Sequence, residues 1–304
     1  WIVFENGGYI YKLKAGNNQP EKVNIRLASD NVYARQAIKD GVDYLTAASL
    51  SPNGERMVVT TRGEVFNIPV ENGVSKNITR TSGAHEREAQ WSPDGKYIAF
   101  ISDRTGETEL YLQEDGLGKE PVQLTKNNDT YIRTFSWSPD AKKLVYTDRQ
   151  NRICLLDVAS KQKKVLLQDP LGEPREVSFS PDSKWLTYIR TSENDFSIVY
   201  VYNLETQKEY AVTDQWYSSS SPVFSTDGKY LIFSSARDFN PTYGQTEWNH
   251  VYTRMNGVYL ALLRQDTPSP FLEEDDEVTV QTTESTKEET SEETVCFSKT
   301  GSTF

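Results

Sequence analysis

A short turn sequence recurs five times along this chain and restricts its fold more than any other feature. The second copy reads Trp91-Ser-Pro-Asp-Gly95; an alternating apolar stretch follows it and then, after a polar break, a second apolar stretch. The five copies are Leu50–Gly54, Trp91–Gly95, Trp137–Ala141, Phe179–Ser183 and Phe224–Gly228. Measured at the proline position, which is Thr226 in the last copy, they lie 41, 46, 42 and 45 residues apart.

The residues of this sequence suit a type I turn. Proline presets φ at the second position, serine and aspartate bond nearby backbone N–H groups, and glycine accepts the φ that the exit requires. The aspartates recur at Asp94, Asp140, Asp182 and Asp227. This regularity favours turn stabilisation over a role as paired catalytic carboxylates.

The period predicts the fold class. Each copy leads into two strand-like stretches and a more polar outer one, and a period in the forties with three or four short strands is typical of a β-propeller blade. Blades packed around an axis bury their apolar faces against each other and leave only short edges exposed. We therefore predict an all-β fold, a β-propeller of four-stranded antiparallel blades with five full repeats. The large apolar residue before each turn should lie between blades.

The remaining segments give the domain prediction. Residues 1–26 read as strands around a Gly7-Gly8 hairpin turn and are expected to be a partial blade or the end of a preceding propeller. We expect a linker over 27–44 and the blades over 45–270. Residues 271–304 are acidic and rich in Ser, Thr and Glu, which is typical of a disordered tail or an inserted loop.

Composition excludes several function classes. A net charge of −11 argues against nucleic-acid binding, which needs clustered Lys and Arg. No apolar run approaches the roughly 18 residues of a membrane span. The chain begins with Trp1 instead of Met, so we expect the natural N-terminus to lie upstream, and a cytoplasmic or periplasmic location is left open. Two cysteines, Cys154 and Cys296, are too few for a disulfide framework.

The motifs of catalysis and metal binding are missing from the sequence. Only two histidines occur, His85 and His250, and no G-x-S-x-G nucleophile elbow is present. His85-Glu-Arg-Glu-Ala89 has alanine where a zinc protease has its second histidine. We therefore predict no catalytic residues, no metal and no cofactor in this chain.

One insertion suggests a binding surface. The last repeat separates its second and third strands by a long segment, residues 236–256, that contains several aromatic residues. Aromatic side chains in a long polar loop can bind a ligand, although the loop can equally pack against its own blade. The candidate binding residues, chosen from exposure and aromatic content, are Arg237, Tyr243, Trp248, Tyr252, Trp216 and Tyr217.

The repeat also resembles known families. The pattern W/F-S-P-D-G-K-x-I/L-x-F/Y is similar to the WD-like repeats of tricorn-type proteases, TolB-like proteins and prolyl oligopeptidase relatives. Longer stretches resemble the second propeller of tricorn-type serine peptidases. They are RGEVFNIPV (62–70), NITRTSGAHEREAQWSPDG (77–95), ISDRTGETELY (101–111) and FSSARDFNP (233–241).

The resemblance implies a function that the residues alone do not. Tricorn-type proteins have two propellers, a PDZ-like domain and a serine peptidase domain, and their propellers are thought to guide peptides to an enclosed catalytic chamber. The second propeller of the family has seven blades. We expect a non-catalytic propeller whose partners are peptides, a downstream peptidase domain of the same polypeptide and further copies of itself. The alternatives are a TolB-like scaffold of the cell envelope and the propeller half of a prolyl peptidase.

Overall fold

The computed structural model describes residues 1–26, 28, 40–115, 119–238, 241–243 and 250–272. It divides into two compact units, residues 1–40 and residues 41–304. The linker expected over 27–44 falls mostly on residues outside the described part, as do Trp248, Cys296 and the acidic segment from 273 onward. These assignments therefore stay predictions.

The first unit contains a three-stranded antiparallel sheet. Strands β1 (Ile2–Asn6), β2 (Tyr9–Leu13) and β3 (Glu21–Lys22) pair in chain order. Gly7 and Gly8 connect β1 to β2 with φ values of +58° and +75°. Both central residues of this two-residue turn thus need positive φ, which glycine adopts without a steric penalty.

The second unit consists of five consecutive antiparallel sheets, which we call blades 1 to 5. Blades 1 to 4 have four strands each, and in each of them the strands pair in chain order. Blade 1 contains β4 (Leu45–Leu50), β5 (Arg56–Thr61), β6 (Glu64–Pro69) and β7 (Lys76–Asn77). Blade 2 contains β8 (Glu86–Trp91), β9 (Tyr97–Ser102), β10 (Glu109–Glu114) and β11 (Val122–Gln123). Blade 3 contains β12 (Ile132–Trp137), β13 (Lys143–Asp148), β14 (Arg152–Asp157) and β15 (Lys163–Gln168). Blade 4 contains β16 (Arg175–Phe179), β17 (Trp185–Thr191), β18 (Ser197–Asn203) and β19 (Lys208–Ala211).

Blade 5 differs because of its insertion. Its sheet contains β20 (Ser219–Phe224), β21 (Tyr230–Ser235) and β24 (Gly257–Leu262). Between the last two lies a separate antiparallel hairpin of β22 (Pro241–Tyr243) and β23 (His250–Tyr252). A strand pair inside the insertion was not predicted from its polar sequence.

The hydrophobic core lies between blades, and β9 shows why. Four consecutive residues of this strand, from Ile98 to Ile101, are completely buried. Ile98 and Phe100 pack with residues of blade 1, whereas Ala99 and Ile101 pack with residues of blade 3. Side chains alternate along a strand, so a strand with a neighbouring blade on each side must be apolar on both faces. Similar clusters join blade 3 to blade 4 and blade 4 to blade 5. The predicted β-propeller fold is confirmed; the described residues form five blades, and the seven expected from the family resemblance stay a prediction.

The apolar residues before the turns follow this arrangement with one exception. Trp91 and Phe179 are buried, and Trp137 and Phe224 are partly buried and pack against the clusters. Leu50, however, is 57% exposed, so its predicted burial between blades is wrong. This position contacts the preceding blade, and Leu50 belongs to the first blade of its unit.

Candidate functional site

Each blade has two edges with different chemistry. The turn edge carries the five repeated turns between the first and second strands. The loop edge lies at the other ends of these strands, where the second strand leads into the third and the fourth leads into the next blade.

The turn edge uses its polar groups internally. In blade 2, Ser92 Oγ donates to Asp94 Oδ1 at 2.7 Å and accepts from the backbone N–H of Tyr97 at 3.0 Å. Asp94 Oδ1 also accepts from the N–H of Lys96 at 3.2 Å. The other four copies make the same bonds, with Asn53 replacing the aspartate in blade 1. The predicted role of the turn aspartates is confirmed, since their acceptors are bonded within the turn.

In blades 2, 4 and 5 the loop edge places an arginine over a tyrosine of the third strand. The guanidinium carbon of Arg104 lies 4.7 Å from the ring centroid of Tyr111 in blade 2. Arg190 lies 5.2 Å from the ring of Tyr200 in blade 4, and Arg237 lies 5.1 Å from the ring of Tyr259 in blade 5. The three tyrosines stand at the same place in their third strands, since each pairs with a buried aromatic residue of the second strand: Tyr111 with Phe100, Tyr200 with Tyr188 and Tyr259 with Phe233. Such contacts stabilise a cation by the quadrupole of the ring.

Two of these arginines are held by buried carboxylates. In blade 2 the carboxylate of Glu86, which is fully buried, lies 3.0 Å from a terminal nitrogen of Arg104. In blade 4 the buried carboxylate of Asp169 lies 2.6 Å from Nε of Arg190, and Glu209 lies 2.9 Å from a terminal nitrogen. Burial opposes the charge of Arg190, but hydrogen bonds to Asp169 and Glu209 outweigh it and raise the pKa of the guanidinium above its ordinary value. These ion pairs hold both guanidinium groups in place, so the two arginines have a structural role.

The predicted site residues of blade 5 come together only in part. Arg237 lies just after β21, with its guanidinium carbon 5.6 Å from the ring of Tyr217. Trp216 is adjacent and 79% exposed, and its backbone N–H donates to Asp214 Oδ1 at 3.2 Å. The backbones of Tyr243 and Tyr252 lie in the inserted hairpin, where their strands pair, but their side chains fall outside the described part. Of the six candidates, then, the structure brings Arg237 and Tyr217 together, with Trp216 beside them.

Sequence reasoning missed two neighbours of Arg237. Tyr259 completes the pair of rings around the guanidinium, and the Oδ2 atom of Asp214 lies 4.0 Å from a terminal nitrogen. Alignment of the repeats could have marked Tyr259, because the equivalent third-strand position holds a tyrosine in blades 2 and 4 as well. Nothing comparable in the sequence marks Asp214.

Other candidate sites are weaker. Among the described residues, no cluster of three or more histidine, cysteine or acidic side chains could hold a metal ion, and no helix is long and apolar enough to cross a membrane. Cys154 is buried in β14, and burial raises the pKa of its thiol to about 11. A cleft of about 680 Å³ opens between blades 2 and 3 at the turn edge. Its charged lining residues are three acidic and three basic, so it favours neither sign of ligand: Glu114, Glu120, Asp157, Lys119, Lys142 and Lys161.

Proteins similar to this chain are found among both sequences and solved structures. A protein of Sulfurisphaera tokodaii described as a tricorn-like protease C-terminal subunit is 25% identical over 279 residues, which is 91% of this chain and 31% of that protein. The crystal structure of the tricorn protease aligns with a TM-score of 0.68 at 18% identity over 88% of this chain and 26% of that one. A structure of a protein described as TolB from Agrobacterium tumefaciens aligns with a TM-score of 0.51 at 20% identity over 73% of this chain and 77% of that one.

These comparisons differ in what they show. At such identities the two solved structures establish the fold alone, and the chain spans only about a third of the length of the archaeal relative. The family described as "Tricorn protease second beta propeller domain", however, matches residues 45–299, which include all five blades. The chain therefore belongs to the family of tricorn protease second β-propeller domains.

Proposed function

We propose that this chain is a non-catalytic β-propeller of a tricorn-like serine peptidase and that it guides or gates the access of peptides to a catalytic domain of the same polypeptide. Membership of the tricorn second-propeller family supports the association with a peptidase. This chain covers only 31% of the tricorn-like relative of Sulfurisphaera tokodaii and 26% of the tricorn protease structure, which leaves room in them for such a domain.

The loop edge of blade 5 supports the contact with peptides. Trp216 and Tyr217 are 79% and 40% exposed, and both precede β20 in one short loop. Exposed aromatic side chains beside an arginine are the residue types that contribute most binding energy in protein recognition. A propeller that guides extended peptides would need such contacts on the edge at which the peptide enters.

The test compares two substrates of the longer polypeptide. Peptides too long to reach a catalytic site by free diffusion should depend on the propeller, whereas a short chromogenic substrate should not. We expect the double variant Trp216→Ala, Tyr217→Ala to lower kcat/KM for an extended peptide at least about fivefold, which corresponds to about 1 kcal/mol. The short substrate should be cleaved at an unchanged rate.

The matched control is Leu171→Ala. Leu171 is 53% exposed and lies in the corresponding loop before blade 4. This variant should leave both rates unchanged. If the double variant slowed both substrates equally, or neither, the guiding role would be refuted. Peptidase activity of residues 1–304 alone would refute the non-catalytic assignment.

A TolB-like scaffold of the cell envelope is the alternative that the fold also supports. It predicts a stable envelope protein bound to this chain and no peptidase domain downstream. A prolyl-peptidase relative predicts a downstream α/β-hydrolase domain with a G-x-S-x-G elbow. Sequencing the gene beyond residue 304 distinguishes these possibilities.

A further inference from the structure

Arg237 in blade 5 is the structural counterpart of Arg104 in blade 2. Each arginine follows its second strand by two residues, and each donates from Nε to the hydroxyl of the last strand residue. The distances are 3.2 Å from Arg104 to Ser102 and 3.1 Å from Arg237 to Ser235. Each guanidinium lies over the equivalent third-strand tyrosine, and the two side chains are equally exposed, at 20% and 21%.

The two sites differ in the carboxylate opposite the arginine. In blade 2 the strand partner of Ser102 is Glu86, whose carboxylate binds both Ser102 and Arg104. In blade 5 the strand partner of Ser235 is Ser219, and the two hydroxyls bond to each other at 3.0 Å. A serine is too short to reach the guanidinium. Among the described residues, blade 5 thus keeps the arginine and its tyrosine but has a serine at the position from which Glu86 supplies its carboxylate in blade 2.

The nearest carboxylate among the described residues does not replace Glu86. Asp214 Oδ2 lies 4.0 Å from the terminal nitrogen of Arg237, beyond hydrogen-bonding distance, and its side chain is 26% exposed. Its other oxygen accepts a hydrogen bond from the backbone N–H of Trp216. An ion pair of this length and exposure contributes little energy, so a better placed carboxylate would compete with it for the guanidinium.

We propose that Arg237, flanked by the rings of Tyr217 and Tyr259, binds a carboxylate of a peptide held at the loop edge of blade 5. This inference rests on the proposed function and names the chemistry that the surface selects. A guanidinium matches a carboxylate through two parallel hydrogen bonds, and charge-assisted bonds of this kind are about twice as strong as neutral ones. The carboxylate is that of a peptide C-terminus or of an acidic side chain, and both sources present the same group.

The test measures binding of matched peptides to residues 1–304 by calorimetry. The first pair is a short N-acetylated peptide containing an aromatic residue, made with a free C-terminal carboxylate or with a carboxamide. The second pair is amidated and differs by Glu against Gln at one internal position. We expect the carboxylate form of one pair to bind at least about tenfold more tightly than its neutral form, as expected for a charge-assisted contact. The pair that shows the difference identifies the source of the carboxylate.

Three variants assign the difference to Arg237. Arg237→Gln should abolish the preference for the carboxylate while keeping the affinity for the neutral peptide within about twofold. Arg149→Gln is the matched control, because Arg149 is an exposed arginine on the loop edge of blade 3 that also lies over a tyrosine, 5.5 Å from the ring centroid of Tyr131. It removes the same charge and should leave the preference unchanged. Ser219→Glu introduces the residue that blade 2 has at this position. The new carboxylate should form an ion pair with Arg237 within the protein and so abolish the preference for a peptide carboxylate.

The outcomes separate this inference from the proposed function. Equal binding of carboxylate and neutral peptides would overturn the carboxylate site and leave peptide guidance intact. Loss of the preference in Arg149→Gln as well would also overturn it, since the effect would then come from net charge. If none of the four peptides bound, the carboxylate site would be overturned too. The peptidase assay with long and short substrates would then test the guiding role separately. Circular dichroism of each variant shows whether it is folded, and Arg237→Gln tests the site even if Ser219→Glu does not fold.

Discussion

The two edges of the blades are built by the same strands yet behave in opposite ways. At the turn edge, every blade repeats one set of hydrogen bonds within a few residues of sequence, from Ser92 and Asp94 in blade 2 to Ser225 and Asp227 in blade 5. At the loop edge, equivalent arginines meet different partners, a buried glutamate in blade 2 and a more distant, partly exposed aspartate in blade 5. Polar side chains that recur in every blade stabilise the fold. Side chains that differ between equivalent positions of the blades can instead give one blade its own ligand specificity.

The largest expected effect tests this difference at the loop edge. Arg104→Ala leaves the buried carboxylate of Glu86 without its cation and should lower the free energy of unfolding by about 3–5 kcal/mol. Arg237→Ala should lower it by no more than about 1 kcal/mol, because Asp214 is partly exposed and further away. Urea denaturation of both variants measures the two losses. Equal losses would mean that the two arginines have the same structural role.

The turn edge should instead respond uniformly. Ser92→Ala and Ser138→Ala each remove a buried hydroxyl that donates to an aspartate and accepts from a backbone N–H, of Tyr97 or of Lys143. Each should cost about 1–3 kcal/mol, since the N–H is left without its acceptor. The same denaturation experiment applies. A difference between the two variants as large as the one between Arg104→Ala and Arg237→Ala would break the contrast between the edges.

The turn aspartate Asp140 should also make the fold sensitive to acid. Burial opposes the charge of Asp140, but hydrogen bonds from the hydroxyl of Ser138 and the N–H of Lys142 outweigh it and hold the pKa of this carboxyl below its ordinary value of 3.8. A carboxyl with a lowered folded pKa stabilises the protein fully above its unfolded pKa and loses that contribution as the pH falls through the folded pKa.

We therefore expect the free energy of unfolding to decrease as the pH drops below 3.8, and Asp140→Asn to reduce this decrease. Blade 1 supplies an internal precedent, because Asn53 makes the turn bonds there without a titrating group. Stability measured from about pH 5 to about pH 3 for both proteins gives the comparison. Identical slopes would show that Asp140 does not contribute.

The smallest effect concerns the last position of the turn. All five copies have positive φ there, including Ala141 at +57° and Ser183 at +60°, which lack the freedom of glycine. Ala141→Gly should raise the free energy of unfolding by about 0.5–1 kcal/mol, because relief of the left-handed strain exceeds the entropy that glycine adds to the unfolded chain.

Ser183→Gly is the control for this change. The hydroxyl of Ser183 accepts the N–H of Asp140 at 3.2 Å, a bond between turns of neighbouring blades. Its loss should offset the relief, so this variant should gain less than Ala141→Gly. A larger gain in Ser183→Gly would show that the bond does not stabilise the turn edge.

Prediction from sequence succeeded where interactions are local and failed where they depend on neighbours. The turn from Trp91 to Gly95 and the strands on either side of it lie where the sequence placed them, because short-range hydrogen bonds and strand periodicity specify them. Leu50 has the same pattern as Trp91 but is exposed, because burial at this position requires a preceding blade. The candidate binding residues stay a prediction, and the structure adds Tyr259 to those around Arg237, because strand pairing across a long insertion brings it there.

The sequence by itself determined that this chain forms repeated antiparallel blades, because each turn carries its own donors and acceptors and each strand its own alternation of side chains. Only the tertiary structure decided which polar groups are paired across a blade. The difference between Glu86 and Ser219 becomes meaningful once strand register places each of them opposite the serine that precedes an arginine. Contacts of this kind depend on residues far apart in the chain, and no local pattern records them.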